Sequence, residues 1–396
     1  MKQLLKKHDL DYEIVVLSDE WFGLPFSCKH LLKHFLPDHR LIWVETIGLR
    51  SPKLNLYDLK RTITKISQWI FSVNKSDQQV IPKNLNIINP FQIPYNHFNV
   101  VRAINKSVLL RAINGLGDKA ANRTRVFITT WPFVGNLVGR LGDRLSVYYR
   151  VDDFSEFPGV HKKRIIQLEN ELINKVDMIV ATAKDLAKIN IEGKKIRYLP
   201  HGVDFEHFSS RKNNDRFELP IQKISSPRIG FFGLLSAWVD FDLLSTLACM
   251  QRQWSFILIG PSQIPISQLP QAPNIHYLGA IPYQELPKHA QFFDIAMIPF
   301  KVNTLTRSVN PLKLMEYLSM GIPIVSTPLP EVETYRDYVK IASDPENFAK
   351  AVETSLEEDS PQLREARTLV AKPHSWKEKS LQLKNWIEED LEDKIV

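Results

Sequence analysis

Near the carboxyl end of the sequence, the segment SVNPLKLMEYLSMGIPIVST (308–327) combines helix signals with two charged residues that could bind a ligand. Asn310 is a favourable N-cap, Pro311 suits the first helical position, and Gly321 is a stop signal. The spacing therefore predicts a helix over 311–320. The amino end of such a helix has free N–H groups and a partial positive charge, so it can receive an anion such as a diphosphate.

Lys313 adds a full positive charge to the first turn of this predicted helix. A lysine there opposes the helix dipole, so its position makes more sense if an anion lies between them. Glu316 falls on the same face three residues later, and its carboxylate can accept hydrogen bonds from a vicinal diol. These residues indicate a ligand with phosphate and ribose. The alternative is an ordinary capped surface helix with an i,i+3 ion pair.

Two adjacent aspartates, Asp152 and Asp153, end the strand-like segment SVYYRVDD (146–153). Ligands of open α/β sheets bind beyond the carboxyl ends of the strands. Two neighbouring carboxylates repel each other, which can raise the pKa of one of them. Either aspartate could then act as a general base that takes a proton from a ligand hydroxyl. The alternative is that both cap the loop before the next helix.

A third polar group, Asp19, Glu20 and Trp21, follows the first strand-like segment EIVVLS (13–18). The carboxylates and the indole are candidates for contacts with a ligand, because an aromatic ring suits the face of a sugar. A plain turn is the alternative interpretation.

Strand-like and helix-like segments alternate along the chain, which is typical of parallel, doubly wound α/β sheets. We expect two Rossmann-like domains that face each other across a cleft. The predicted strands are 13–18, 41–46, 86–90, 126–131, 146–153, 178–183, 196–204, 228–233, 255–260, 274–279, 294–300 and 323–327, and the predicted helices are 24–35, 100–115, 164–177, 241–251, 283–292 and 311–320.

The domain boundaries are predicted from composition. A length of 396 residues favours two domains, and a polar stretch marks a linker near 205–226. We predict an amino-terminal domain over 1–205, a second domain over 206–372 and a final segment over 373–396. Residues 51–76 are interpreted as helix or loop.

Composition excludes several classes of protein. Cys28 and Cys249 match no disulfide or zinc spacing. No apolar run is long enough to span a bilayer, and the first residues lack a signal-peptide pattern, so we expect a cytoplasmic protein. The Asn-x-Ser/Thr triplets are interpreted as chance.

The positive charge is concentrated in the first half of the chain. Residues 1–200 hold 31 Lys/Arg and 19 Asp/Glu, and residues 201–396 hold 20 and 25, giving +12 and −5. Such a field attracts anionic partners. No nucleic-acid motif is present, so nucleic acid is not expected as a partner. The lysines of 1–7 and the segments 28–35 and 102–115 favour contact with an anionic membrane, although ordinary amphipathic helices are an equal alternative.

The combination of motifs resembles the GT-B glycosyltransferases of family 4 over nearly the whole chain. The pairing of YRVDDF with NPLKLMEYL is similar to that in bacterial exopolysaccharide transferases of the xanthan glucuronosyltransferase and teichuronic acid types. The segments that carry the resemblance are DEWFG (19–23), YRVDDF (149–154), NKVDMIVATAKDLA (174–187), PHGVD (200–204), RIGFFG (228–233), FILIGP (256–261), NIHYLGAIPYQELP (274–287), FDIAMIPF (293–300) and PLKLMEYLSMGIPIVST (311–327).

The resemblance implies a role for each matching residue. Glu316 matches the glutamate that binds the donor ribose, Lys313 a lysine at the diphosphate, and Gly233 the loop facing the phosphates. The segment from Gly279 to Tyr283 matches the part that lines the base. The resemblance also implies that the domain over 1–205 binds the acceptor, with Asp19, Glu20 and Trp21 on the acceptor side, and that the domain over 206–372 binds the donor. The segment HSWKEKSLQLKNWIEEDL (374–391) resembles the family's helix that crosses back to the first domain, which implies that role for 373–396. The remaining donor-side candidates are Asn310, Pro311 and Arg307. The similar glucuronosyltransferases use an aspartate near YRVDDF as the base, which ranks Asp153 first and Asp152 second.

Two departures from the family pattern affect the prediction. Ser308 stands where the family signature has another glutamate, which puts a retaining mechanism in doubt. The basic residues that usually follow the GFFG-type loop are replaced by Asp240 and Asp242. Phosphate binding therefore depends more on Lys313, with Arg307 as a second candidate.

We expect a metal-independent hexosyltransferase of cell-surface polysaccharide synthesis. It has no bound cofactor, uses a UDP- or GDP-sugar as donor, and modifies a glycan or lipid-linked acceptor in the cytoplasm or at the inner face of the plasma membrane. The alternatives are a sugar-nucleotide 2-epimerase on the same fold and a non-catalytic protein that binds sugar nucleotides. A nicotinamide dehydrogenase is disfavoured because GxGxxG is absent after the first strand.

Overall fold

The chain folds as two units, each built on its own parallel sheet. The computed structural model describes residues 11–23, 26–46, 81–96, 98–116, 124–189, 191–210 and 219–394. Unit 1 comprises Met1–Ala181, Leu186–Leu199 and Ser380–Val396, and unit 2 comprises Thr182–Asp185 and Pro200–Lys379.

Unit 1 contains a seven-stranded sheet in the order β3-β2-β1-β4-β5-β6-β7, with every pairing parallel. The strands are β1 (Tyr12–Ser18), β2 (Arg40–Glu45), β3 (Leu85–Ile88), β4 (Thr124–Thr129), β5 (Asp143–Arg150), β6 (Met178–Ala181) and β7 (Lys195–Tyr198). The helices are α1 (Ser27–Leu32), α2 (Asn99–Gly115), α3 (Lys162–Lys175) and most of α12 (Trp376–Asp393).

The central strands of unit 1 are buried apolar runs, as expected for a sheet covered on both faces. A buried carboxylate on β1, Glu13, and one on α3, Glu169, are both paired. Glu13 binds Arg125 and lies 3.7 Å from Arg40, and Glu169 accepts hydrogen bonds from the hydroxyl of Tyr148 at 2.7 Å and from Arg150 at 2.9 Å. Pairing offsets the cost of taking these charges out of water.

Unit 2 contains a six-stranded sheet in the order β10-β9-β8-β11-β12-β13, again parallel throughout. The strands are β8 (Arg228–Phe232), β9 (Ser255–Ile259), β10 (Ile275–Gly279), β11 (Ile295–Ile298), β12 (Ile324–Ser326) and β13 (Val339–Ile341). The helices are α4 (Phe205–Ser209), α5 (Phe241–Met250), α6 (Leu286–Ala290), α7 (Thr304–Arg307), α8 (Leu312–Ser319), α9 (Pro330–Glu333), α10 (Pro345–Glu358) and α11 (Pro361–Ala371).

Strand order reverses between β1 and β4 in unit 1 and between β8 and β11 in unit 2. In sheets of this kind, the loops that follow the two strands at the reversal run to opposite faces of the sheet. A crevice therefore forms between them at the carboxyl ends of the strands. Asp19 follows β1, and Gly233 follows β8. The predicted class, two parallel doubly wound Rossmann-like sheets, is confirmed.

Several sequence expectations meet the structure differently. The polar stretch interpreted as a linker near 205–226 contains α4 and, in unit 2, the buried side chains of Phe208 and Ile221. The predicted helix from Leu24 begins at Ser27. The basic residues 1–7, the segment 51–76 and residues 211–218 lie outside the described residues.

The proposed membrane segment at 28–35 is wrong as a lipid-facing helix. Its apolar residues Cys28, Leu31, Leu32 and Phe35 are buried in unit 1, so they cannot face lipid. Of the described helices, none combines the length and apolar character needed to cross a bilayer.

Three glycines lie at the carboxyl ends of adjacent strands in unit 2. Gly233 donates its N–H to the carbonyl of Ile259 at 2.8 Å, and Gly260 donates to the carbonyl of Gly279 at 2.8 Å. A Cβ on Gly260 would lie 1.9 Å from the carbonyl oxygen of Gly233, and the φ of Gly260 is +140°. A close backbone approach therefore requires glycine at position 260.

We expect Gly260→Ala to destabilise the protein by about 3 kcal/mol or more, because a backbone atom cannot yield as a flexible side chain can. Gly279→Ala is the matched control: its φ is +75° and no heavy atom lies within 4 Å of the added Cβ, so it should cost only about 1 kcal/mol. Urea denaturation measures both. Equal losses would show that the approach to Gly233 is not the constraint.

Candidate active site

Helix α8 positions the two charged residues singled out in unit 2, but it is capped differently from the prediction. Pro311, with extended backbone angles, occupies the N-cap position, and the helix begins at Leu312. The prediction of Asn310 as N-cap is wrong. Its side-chain amide is buried and donates a hydrogen bond to the carbonyl of Thr182 at 3.0 Å, so it is committed to that contact. The predicted stop is confirmed, since α8 ends at Ser319 and Gly321 has φ +70°.

Lys313 and Glu316 lie together beside the glycine that follows β8. Nζ of Lys313 is 2.7 Å from Oε2 of Glu316, and their side chains are 19% and 8% exposed. A Cβ placed on Gly233 would be 3.1 Å from Cε of Lys313. The ammonium also lies 4.9 Å from the ring centroid of Phe232. The structure thus brings Gly233, Lys313 and Glu316 into one cluster, and it contains the i,i+3 ion pair of the alternative interpretation.

The aromatic residue Tyr317 fixes this cluster to the sheet, a role that the sequence analysis missed. Its hydroxyl accepts a hydrogen bond from the backbone N–H of Phe232 at 3.0 Å, and its ring meets the Phe232 ring edge-on with centroids 4.8 Å apart. In the sequence, the only indication of this role is a tyrosine next to the glutamate in a predicted helix. That indication does not show which strand the tyrosine contacts.

Tyr283 lies near the same glutamate. Burial, with a contribution from the negative charge of Glu316, raises the pKa of the Tyr283 phenol well above its usual range, so the hydroxyl stays protonated. Its ring stacks on His207 with centroids 5.0 Å apart, and its carbonyl oxygen is 3.0 Å from Nε2 of His207. Gly279, at the start of the same loop, has open space on its Cβ side.

The remaining unit 2 residues of interest have other positions. Arg307 is exposed at the end of α7. Ser308, which replaces the family's glutamate, is buried, and its hydroxyl is 3.0 Å from Oδ2 of Asp185, a neighbour that sequence spacing could not reveal. Asp240 caps α5 by accepting a hydrogen bond from the N–H of Leu243 at 3.0 Å, so it does not substitute for a phosphate-binding residue.

In unit 1, the two aspartates after β5 have different environments. Asp153 caps a short 3-10 helix (Phe154–Glu156), accepting hydrogen bonds from the N–H and the hydroxyl of Ser155 at 3.1 and 2.7 Å. Burial raises the pKa of Asp152 to about 7, with the charges of Asp19 and Asp153 adding to the effect. Asp152 is therefore the carboxylate poised to exchange a proton near neutral pH, and Asp153 has the capping role of the alternative interpretation.

The acceptor-side candidates after β1 are only partly available. Glu20 is exposed, and its carbonyl accepts the N–H of Gly23 in a tight turn. Trp21 is only 5% exposed because its ring packs edge-on against Trp43 at 4.9 Å and Nζ of Lys29 lies 5.2 Å from its centroid. The expectation that the Trp21 ring offers a face to a sugar is therefore wrong.

Asp19 is held in the loop through its backbone carbonyl. Its carbonyl accepts a hydrogen bond from Nε1 of Trp43 at 2.8 Å. Its negative charge acts on Asp152, which places these two carboxylates near each other at the carboxyl ends of β1 and β5. The described residues contain no group of three or more His, Cys, Asp or Glu side chains arranged to hold a metal ion.

Comparisons with known proteins agree with the expected fold and identify a family match within unit 2. Residues 226–358 match the family model described as "Glycosyl transferases group 1". The putative teichuronic acid biosynthesis glycosyltransferase TuaH of Bacillus subtilis is 27% identical over 241 residues, which are 56% of this chain. That match spans 58% of the relative's own length.

Solved structures match nearly the whole chain at low identity. Anabaena Alr3699/HepE in complex with UDP and glucose has a TM-score of 0.67 and 11% identity, covering 96% of this chain and 100% of that one. An E. coli structure titled trehalose-6-phosphate bound with UDP-2-fluoro glucose has a TM-score of 0.62 and 10% identity, covering 95% and 99%. The GT-B fold expected from the sequence is confirmed.

We expect Asp152→Asn to stabilise the folded protein at pH 8, by about 1–3 kcal/mol. The folded-state pKa of about 7 lies above the unfolded value near 3.8, so the native state loses stability as pH rises between these values. The gain from the substitution should disappear near pH 4. Urea denaturation across this pH range measures it.

Asp153→Asn serves as the matched control. It should cost about 1 kcal/mol through the weakened cap. If Asp152→Asn destabilises the protein equally at pH 5 and pH 8, the carboxylate does not carry the charge penalty described above.

Proposed function

We propose that this chain, whose residues 226–358 form a glycosyl transferases group 1 domain, is a glycosyltransferase that uses a nucleoside diphosphate sugar. The observation that carries the proposal is the cluster of Gly233, Lys313 and Glu316 at the carboxyl end of β8. It places a cation, a helix N-terminus and a buried carboxylate together, as the diphosphate and the ribose of such a donor require.

Each part of the donor has a matching group in unit 2. Lys313 and the amino end of α8 would bind the diphosphate, and the absence of a side chain on Gly233 lets the phosphates approach the backbone. Glu316 would accept hydrogen bonds from the ribose hydroxyls. The loop from Gly279 to Tyr283 would line the base. Because Lys313 and Glu316 are paired with each other, the donor exchanges one partner for another at both residues.

UDP is the first nucleotide to test. The Anabaena structure is titled as a complex with UDP and glucose, and a second structure of that protein as a complex with UDP-glucose. Those ligands belong to that protein. They support a UDP-hexose ahead of a GDP-sugar as the donor here, and the TuaH similarity supports an acceptor of the cell-surface polysaccharide type, either a glycan or a lipid-linked glycan.

Asp152 of unit 1 is proposed as the general base, in place of Asp153. In the transfer, the acceptor hydroxyl gives its proton to Asp152 as its oxygen bonds to the anomeric carbon of the sugar. The bond from that carbon to the diphosphate oxygen breaks, and the electron pair leaves with the diphosphate. Lys313 and the N-terminus of α8 stabilise the charge that develops on it, so we propose that no divalent metal is needed.

For the donor site, we expect UDP to stabilise the wild-type protein and not Glu316→Gln or Lys313→Met. At a hundredfold excess over Kd the gain is about 2.7 kcal/mol. Thermal unfolding with UDP, GDP, CDP, dTDP, ADP and NAD measures it. Glu333→Gln is the matched control, because it breaks another i,i+3 ion pair of unit 2, with Arg336. If UDP stabilises Glu316→Gln as much as the wild type, the donor-binding role of Glu316 is contradicted. The pair of Lys313 and Glu316 would then be a structural ion pair only.

For the chemical step, transfer from UDP-glucose should rise with pH and level off above about 7, where Asp152 is ionised. Asp152→Asn should lower kcat at least about a hundredfold and leave UDP binding unchanged. Asp153→Asn should keep a rise of activity with pH but shift it to lower pH, because the charge of Asp153 contributes to the raised pKa of Asp152. If the dependence of transfer on pH persists in Asp152→Asn, another residue is the base.

Two further measurements test the reaction type. Release of an epimerised sugar nucleotide without acceptor would indicate an isomerase instead. Activity that survives EDTA would support metal independence.

A further inference from the structure

We propose that residues 91–96 and 98–104 of unit 1, here termed the 91–104 surface, dock onto an anionic lipid bilayer. The inference deepens the proposed function, on which its biological meaning rests, because it brings the enzyme to the place where a lipid-linked acceptor is found. Its observations are separate from those of the donor and proton-transfer sites.

Exposed apolar side chains are concentrated in this surface. Fifteen large apolar side chains are exposed among the described residues, and five of them fall in these thirteen positions. They are Phe91 (55% exposed), Tyr95 (39%), Phe98 (57%), Val100 (72%) and Ile104 (45%). Single exposed apolar residues are ordinary, but a contiguous group marks a surface that something covers.

Hydrogen bonds hold the 91–104 surface at Ile93 and at the start of α2. The side chain of Asn105 on α2 accepts a hydrogen bond from the N–H of Ile93 and donates one to its carbonyl, both at 2.8 Å. At the start of α2, the side chain of Asn99 accepts a hydrogen bond from Arg164 of α3 at 2.6 Å. Val100 and Ile104 lie one turn apart on the same side of α2. Hydrogen bonds therefore hold the loop and the helix that carry the exposed apolar side chains.

Charge selects the partner. Residues 78–117 contain no aspartate or glutamate, but they contain Lys83, Arg102, Lys106 and Arg111. Arg102 is neutralised by Glu171 of α3 at 2.9 Å. The other three cations have no ion pair with any described residue, and Arg164 adds a further positive charge beside Asn99. Exposed apolar side chains in a stretch of sequence whose charged residues are all cations fit a bilayer with anionic headgroups. The apolar side chains would insert into the bilayer, and the headgroups would attract the cations.

Flotation of the full chain with lipid vesicles tests the proposal. Wild-type protein should bind vesicles of phosphatidylcholine with about 30% phosphatidylglycerol and bind pure phosphatidylcholine vesicles far less, because the cations act through anionic headgroups. The double variant Phe98→Ser/Val100→Ser should bind the anionic vesicles at least about tenfold less tightly. Circular dichroism and UDP stabilisation should match those of the wild type.

The matched control is Ile266→Ser/Leu369→Ser, which removes two side chains of unit 2 that are 59% and 58% exposed. It should float like the wild type. The proposal is overturned if wild-type protein does not float, if Phe98→Ser/Val100→Ser floats equally well, or if that variant instead dissociates an oligomer, which would make the surface a contact between copies.

The assay uses no nucleotide and no acceptor, so it is independent of the proposed function. A protein that floats but does not bind UDP contradicts the donor site alone. One that binds UDP and transfers sugar to a water-soluble acceptor but never floats contradicts the membrane surface alone.

Discussion

Parallel strand pairing is the constraint on which both candidate sites depend. Every described pairing in the two sheets is parallel, so all strands of a sheet end at one edge. The backbone carbonyl and N–H groups of the strands are used within the sheet, and the loops that follow them are free to carry chemistry. Gly233 follows β8, and Asp152 follows β5, each at the carboxyl end of a strand near the reversal of its sheet.

The two sites handle charge in opposite ways. In unit 2 the buried carboxylate of Glu316 is compensated by Lys313, so the pair is nearly neutral before any ligand arrives. In unit 1 Asp152 has carboxylates as its charged neighbours, and burial favours its protonated form. Compensation suits a group that must stay ionised to bind hydroxyls. Lack of compensation suits a group that must take up a proton during a reaction, at some cost in stability.

Local features could be predicted from the sequence, and long-range contacts could not. Buried strand runs and helix periodicity gave the two doubly wound sheets, and the spacing of Lys313 and Glu316 placed them on one face of α8. The roles of Asp152 and Asp153 depend on different information. The cap formed by Asp153 involves Ser155 two residues away, whereas the raised pKa of Asp152 depends on its burial and on the charge of Asp19, which follows a different strand. Trp21 failed as a sugar platform because Trp43 of β2 covers it, a contact that no local pattern indicates.

The pairing of Lys313 with Glu316 has a consequence for selectivity. An anion without a diol, such as inorganic phosphate, can attract Lys313 only by leaving the buried carboxylate of Glu316 without a counterion, and an uncompensated buried charge is costly. A neutral sugar can offer hydroxyls to Glu316 but no negative charge to Lys313. A nucleoside diphosphate, the ligand proposed above, would satisfy both residues at once. In that case the ion pair would discriminate against abundant cellular anions without any contact dedicated to excluding them.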